Sequence, residues 1–121
     1  MSAHALEFSI ALSENERTRP IAEGRHQPQG IKLMPMYGGY CPNERRFDYI
    51  WEYATRHGLP VLLHTGTTFV AQAPLECTLP RHLDDVATRF PEVKIILAHL
   101  SHPYEGESVV TIRKHPNVYA D

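Results

Sequence analysis

Residues 90–103, FPEVKIILAHLSHP, hold the pattern that decides the fold. An apolar run, VKIILA at 93–98, ends abruptly at His99. A short apolar run rich in β-branched residues predicts a strand buried on both faces of a parallel sheet. The same arrangement occurs upstream in LPVLLHTG, residues 59–66, where His64 follows the run. Two such strands, each followed by a histidine, indicate an α/β protein with polar residues at the carboxyl ends of its strands.

Two further β-rich runs, Ile31–Met34 and residues 117–121 (NVYAD), flank this pair, and helical patterns separate all four. The first predicted helix opens at Pro42–Asn43 and ends at Gly58. The second covers about 79–90, after a long loop, and the third about 105–114. Strand starts about 30 residues apart or fewer fit βα units. We therefore predict a partial TIM (β/α)8 barrel of about four parallel strands with intervening helices over residues 30–121. Residues 1–29 form a separate, weakly patterned segment, read as a helix over 3–12 and a polar linker.

The composition excludes several classes of function. The 121 residues are 42% hydrophobic and include 12 Lys and Arg against 14 Asp and Glu, without a run of like charges. This balance does not favour nucleic acid as a partner. Residues 1–16 contain no apolar stretch of secretory or membrane-spanning length, which predicts no membrane association and a cytoplasmic location. Cys41 and Cys77 lack CxxC spacing, so we expect reduced, structural thiols.

His64 and His99 are the residues most expected to carry chemistry. Ligand sites of parallel α/β folds lie at the carboxyl ends of the strands, and both histidines follow consecutive strands there. Neutral imidazole binds zinc and similar ions, and a metal held in this way can activate water for attack on a carbonyl. The structural alternative is that each histidine only caps the sheet through hydrogen bonds. His57, His82 and His115 lie on helices or at helix ends and are predicted to be surface residues.

Four blocks together support a family comparison: GIKLMPMYGGY (30–40), LPVLLHTG (59–66), FPEVKIILAHLSHP (90–103) and HPNVYAD (115–121). In order and spacing they resemble the amidohydrolase-related family. This branch of the metal-dependent TIM-barrel amidohydrolases includes aminocarboxymuconate-semialdehyde and resorcylate-type decarboxylases. The resemblance covers about three quarters of the chain.

The resemblance implies roles for particular residues. His64 matches the metal ligand of the fifth barrel strand, and His99 matches a second ligand or catalytic acid/base of the sixth. Lys32, on the matching fourth strand, is expected to meet an anionic substrate group. Tyr37, in a flexible aromatic loop (YGGY, 37–40), and His102 are expected to contact substrate. The implied cofactor is a divalent ion, with zinc expected.

The sequence also departs from the family pattern. No two histidines are separated by one residue, so the family's HxH pair on the first strand is absent. Asp121 matches the end of the seventh strand and not the aspartate of the eighth. With one or two ligands in place of three or four, this chain alone is not expected to bind a metal tightly.

Three functions remain open at this stage. The leading prediction is a metal-dependent hydrolase acting on a carbonyl, amide or ester of a small-molecule substrate. The first alternative is a non-oxidative decarboxylase on the same scaffold. The second alternative is a catalytically incomplete fragment that only associates, as a homo-oligomer or with a partner, because a half barrel leaves sheet edges open.

Overall fold

Four short parallel strands form one sheet in the computed structural model, which describes residues 29–121. The strands are β1 (Ile31–Leu33), β2 (Val61–Leu63), β3 (Ile95–Leu97) and β4 (Val118–Ala120), and they lie side by side in chain order. Each neighbouring pair is parallel. The predicted α/β class and the four parallel strands are confirmed. The predicted helix and linker before residue 29 lie outside the described residues.

Within residues 29–121, four α-helices lie between the strands, two of them between β1 and β2: α1 (Pro35–Gly38), α2 (Asp48–His57), α3 (His82–Arg89) and α4 (Glu105–Lys114). Three 3-10 segments complete the order, at Arg45–Phe47, Leu75–Thr78 and Ala98–Ser101. The third predicted helix is confirmed at its bounds. The first begins later than predicted, at Asp48, because the residues after Pro42 form a turn and a 3-10 segment instead. The predicted long loop after β2 contains the 3-10 segment Leu75–Thr78, so its irregular part is shorter than predicted.

Helix α2 shows why these segments fold as they do. Ile50, Trp51 and Ala54 form one apolar stripe, and all three are buried against the sheet. Gly58 ends the helix with φ of 63°, a left-handed conformation that glycine adopts without steric cost. Its amide hydrogen bonds to carbonyl groups of the last helical turn, which satisfies groups that a helix end leaves free.

The helices cover one face of the sheet and form the core with it. Alternate strand residues point into this core and are at most 3% exposed: Ile31, Leu33, Val61, Leu63, Ile95, Leu97 and Val118. Helix α3 adds Leu83, Val86 and Ala87 to the same cluster. We call this side the covered face. Side chains alternate between faces along a strand, so the intervening residues must point the other way.

The intervening residues Lys32, Leu62, Ile96 and Tyr119 occupy one row across the sheet, which we call the open face. Lys32 and Tyr119 are exposed, and Leu62 and Ile96 are half-buried. The prediction of strands buried on both faces is therefore wrong for the described residues. Apolar runs specify strands, but inward-facing residues of a barrel are covered by side chains of other strands. Only four strands belong to the described sheet.

Candidate active site

His64 and His99 meet at the carboxyl end of the sheet. His64 follows β2 directly, and His99 lies in the 3-10 segment that follows β3. Their ring centroids are 4.9 Å apart, with the rings nearly edge to face. The predicted convergence of the two imidazoles at one rim is confirmed as a matter of position. Their roles as metal ligands and, for His99, as catalytic acid/base stay predictions.

The His64 ring is held by its own loop. Its Nε2 lies 2.9 Å from the carbonyl oxygen of Thr67. Because a carbonyl only accepts, Nε2 carries the proton in this bond and Nδ1 keeps a free lone pair in the neutral ring. Burial lowers the pKa of His64 from its ordinary value, the bond to Thr67 opposes this, and electrostatic interactions with His99 and Lys32 lower it further. The net effect favours neutral imidazole, the form that binds metal ions.

The His99 side chain is exposed, and its backbone is held in an unusual conformation. Its φ is 41° and its ψ is 43°, within the left-handed region. The side chain of Asp121, just after β4, accepts a hydrogen bond from the His99 backbone amide at 2.5 Å. Sequence reasoning placed Asp121 at the end of a strand but missed this contact. No sequence pattern marks this contact, because it depends on how the ends of β3 and β4 come together in the folded sheet.

The Tyr37 ring lies near that of His64, and Lys32 lies on β1, next to the strand that His64 follows; their substrate-binding roles stay predictions. The Tyr37 ring centroid is 6.1 Å from that of His64, and its hydroxyl oxygen is 3.4 Å from the Thr68 hydroxyl. Lys32 is exposed on the open face, and its positive charge contributes to the lowered pKa of His64.

The prediction of a flexible aromatic loop at residues 37–40 is wrong. Residues 35–38 form α1, and Tyr40 is only 5% exposed, with its ring centroid 4.1 Å from that of Phe47. Pro35 at the first helical position favours this short helix.

The substrate-binding role of the remaining predicted contact residue, His102, stays a prediction. Its ring is exposed and bonds through Nδ1 to the Glu105 carboxylate at the start of α4. His115 is also corrected: it is only 8% exposed, and its Nε2 lies 2.6 Å from the Asp84 carboxylate. A contact between the residue that follows α4 and a side chain of α3 gives no sequence pattern, whereas His57 is exposed as predicted.

The cysteine prediction is wrong. Cys41 and Cys77 form a disulfide that joins the segment after α1 to the 3-10 segment Leu75–Thr78. Their Cα atoms are 4.6 Å apart although 36 positions separate them along the chain. The spacing of the two cysteines along the chain does not predict this pairing, because the two βα loops come together only in the folded sheet. The cysteines therefore do not indicate a reducing compartment, and the cytoplasmic location stays a prediction.

The donor set can be compared with the needs of a divalent ion. Two imidazoles at one rim, one with Nδ1 free, fit two positions of a zinc site, which usually has three or four protein ligands. Within residues 29–121, no group of three or more His, Cys, Asp or Glu side chains is arranged to hold a metal. His64 and His99 therefore fit part of a metal site, and other ligands must complete it.

Comparison with known proteins identifies the family. The profile of the amidohydrolase family matches residues 9–121, nearly the whole chain. The chain belongs to the amidohydrolase family. A curated relative, Protein fluG of Emericella nidulans, is 36% identical over 67 residues, which are 55% of this chain and 8% of that protein.

Two solved structures share the fold. An uncharacterised TIM-barrel protein of Bordetella bronchiseptica, Bb4693, superposes with a TM-score of 0.61 at 23% identity, over 74% of this chain and 32% of its own. Dihydroorotase of Campylobacter jejuni superposes with a TM-score of 0.54 at 20% identity, over 76% of this chain and 27% of its own. At such identities the likeness concerns the fold alone. The described residues thus form part of a TIM barrel, and the chain spans a third or less of these relatives.

Within residues 29–121, no helix is long and apolar enough to cross a membrane.

Proposed function

We propose that this chain carries part of the active site of a metal-dependent hydrolase that cleaves an amide- or ester-type bond in a small molecule. The observation that carries the proposal is the approach of the His64 and His99 rings to 4.9 Å at the carboxyl ends of parallel strands, in a chain of the amidohydrolase family. Zinc is the expected ion, because it accepts imidazole ligands and keeps an open position in catalytic sites.

His64 is the proposed ligand of the chain. Its burial and its bond to Thr67 fix the ring, and its lowered pKa favours the neutral form with a free Nδ1. When bound, a divalent ion supplies Lewis acidity and lowers the pKa of water. His64 thus contributes a fixed neutral donor without first losing a proton at neutral pH.

His99 is proposed to move a proton. His99 is exposed and its ring lies next to that of His64, whereas its backbone amide is held by Asp121. A histidine positioned in this way can accept a proton from the attacking water and return it to the leaving group. His99 also remains a candidate second ligand, since its ring is next to that of His64.

Lys32 and Tyr37 are proposed to bind the substrate. Lys32 is exposed on β1, next to the strand that His64 follows, and can pair with an anionic group, such as a carboxylate. The Tyr37 ring lies near that of His64, and the Tyr37 hydroxyl accepts a hydrogen bond from Thr68. His102 is left out of this set because its ring pairs with Glu105.

The test is an assay of the whole zinc-loaded protein against small amides, lactones, esters and carboxylated aromatic acids. We expect His99→Asn to lower kcat on a hydrolysed substrate by about 10²- to 10⁴-fold. His64→Asn should lose metal as well as activity. The matched control is His57→Asn, because His57 is exposed at the end of α2 and its ring lies near that of Tyr53.

Two results would contradict the assignment. Release of CO₂ without hydrolysis would make the protein a decarboxylase. Full activity in both His64→Asn and His99→Asn would remove the site itself from the reaction.

A further inference from the structure

A buried pair of hydroxyl groups joins the two turns that carry the histidines. The Oγ1 atom of Thr65 lies 2.6 Å from the Oγ atom of Ser101, and both residues are at most 1% exposed. Thr65 follows His64 directly, and Ser101 lies two positions after His99. The bond therefore links residues 36 positions apart, at the point where the two imidazoles meet.

The backbones of the same two turns are also in close contact. A Cβ atom on Gly66 would lie 2.2 Å from the His102 carbonyl oxygen and 2.6 Å from the carbonyl of Ser101. No side chain fits there, and the Gly66 φ of 84° also favours glycine. Thr67 donates to the His102 carbonyl oxygen through its amide at 2.7 Å and its hydroxyl at 2.9 Å.

The turn after β3 needs such support. His99, Leu100 and Ser101 have φ of 41°, 49° and 58°, three consecutive non-glycine residues in the left-handed region. This conformation is unfavourable for each L-residue, and it persists only where surrounding contacts determine it. Ser101 is the member of the three whose side chain is fully buried, and its hydrogen bond to Thr65 holds the turn from the His64 side.

We propose that Thr65 and Ser101 are positioning residues, whose hydroxyl pair sets the separation of the His64 and His99 rings so that both reach one bound ion. The inference deepens the proposed function and rests on it for the identity of the ligand. Neither hydroxyl needs to touch metal or substrate. Each acts through the adjacent turn, as groups behind metal ligands commonly do.

The experiment compares Thr65→Val and Ser101→Ala with the conservative Thr65→Ser, which keeps the hydroxyl. Thr111→Val is the matched control, because Thr111 is also buried and its hydroxyl donates to the Glu107 carbonyl oxygen at 2.8 Å within α4. The first measurement is the nuclear Overhauser effect (NOE) between the His64 and His99 ring protons in the protein without metal. The second is the Kd for Co²⁺.

We expect Thr65→Val and Ser101→Ala to weaken the ring-to-ring NOE and to raise the Kd for Co²⁺ by about 10- to 100-fold. Thr65→Ser should restore both, and Thr111→Val should change neither. If Thr65→Val does not fold, Ser101→Ala, which removes a single oxygen atom, decides the question.

An unchanged NOE in Ser101→Ala would overturn the positioning role, whatever its Kd for Co²⁺. The proposed function fails in a different way: the wild-type protein would bind no Co²⁺, while the NOE would still depend on the Thr65 and Ser101 hydroxyl groups. That second result would support the positioning role and reject the metal site.

Discussion

The covered face of the sheet and the rim at its carboxyl end are built by different forces. Strand residues on the covered face, such as Leu63 and Leu97, are fully buried among aliphatic side chains. At the rim, hydrogen bonds between loops, a close backbone contact at Gly66 and a disulfide hold the chain in place. Apolar burial therefore stabilises the sheet and its helices, whereas hydrogen bonds and backbone contacts between loops determine the relative position of His64 and His99.

The largest expected effect tests the burial side of this comparison. Leu63→Ala on the covered face should lower the free energy of unfolding by about 3 to 5 kcal/mol, because it removes a fully buried side chain and leaves a cavity. Leu62→Ala on the open face is the matched control, since Leu62 is the half-buried neighbour in the same strand. Urea denaturation measures both changes. Equal losses in the two variants would contradict the difference between the faces.

The disulfide gives the rim a covalent contribution that the covered face lacks. The double variant Cys41→Ser, Cys77→Ser should lower the free energy of unfolding by about 3 to 4 kcal/mol, because the cross-link restricts a long loop in the unfolded chain. Urea denaturation of the oxidised wild type and the variant checks this value. Equal stability of wild type with and without a thiol reductant would show that the bond contributes nothing.

Gly66 and Gly58 separate conformational cost from lack of space. Both have positive φ, but a Cβ atom on Gly58 meets nothing within 4 Å. Gly58→Ala should therefore cost about 1 kcal/mol, the ordinary price of a left-handed alanine. Gly66→Ala should cost at least about 2 kcal/mol, because the His99 turn must also move. Thermal unfolding of both variants tests this order, and a larger loss in Gly58→Ala would contradict the close contact of the two turns.

The smallest expected effect concerns pH. Burial, the first cause, lowers the pKa of His64 in the folded chain below its ordinary value of 6.5. The unfolded chain then binds more protons between the two pKa values, so stability rises with pH through that window. As pH falls below about 6.5, this group should reduce stability until the folded pKa is passed. Urea denaturation across this range, compared with His64→Gln, measures the effect, and a slope of opposite sign would contradict it.

The sequence predicted the scaffold well and the rim only in part. Apolar runs at Val61–Leu63 and Ile95–Leu97 specify strands through local composition, and the stripe around Trp51 specifies a helix. The histidines were found because strand ends are the expected place for ligands.

Long-range contacts explain what the sequence did not reveal. The Cys41–Cys77 bond, the Thr65–Ser101 pair and the hydrogen bond from His99 to Asp121 each join residues more than 20 positions apart. No local pattern encodes such a contact. Each of them depends on how neighbouring βα loops meet once the strands are paired.

The central claim is that His64 and His99 act on one ligand at the carboxyl end of the sheet. The most direct test is a Co²⁺ titration followed by NMR signals of the individual histidine rings. We predict that both rings respond to Co²⁺ along a single binding curve, whereas the His57 ring signal does not change. Separate curves for His64 and His99, or a response from only one of them, would contradict it.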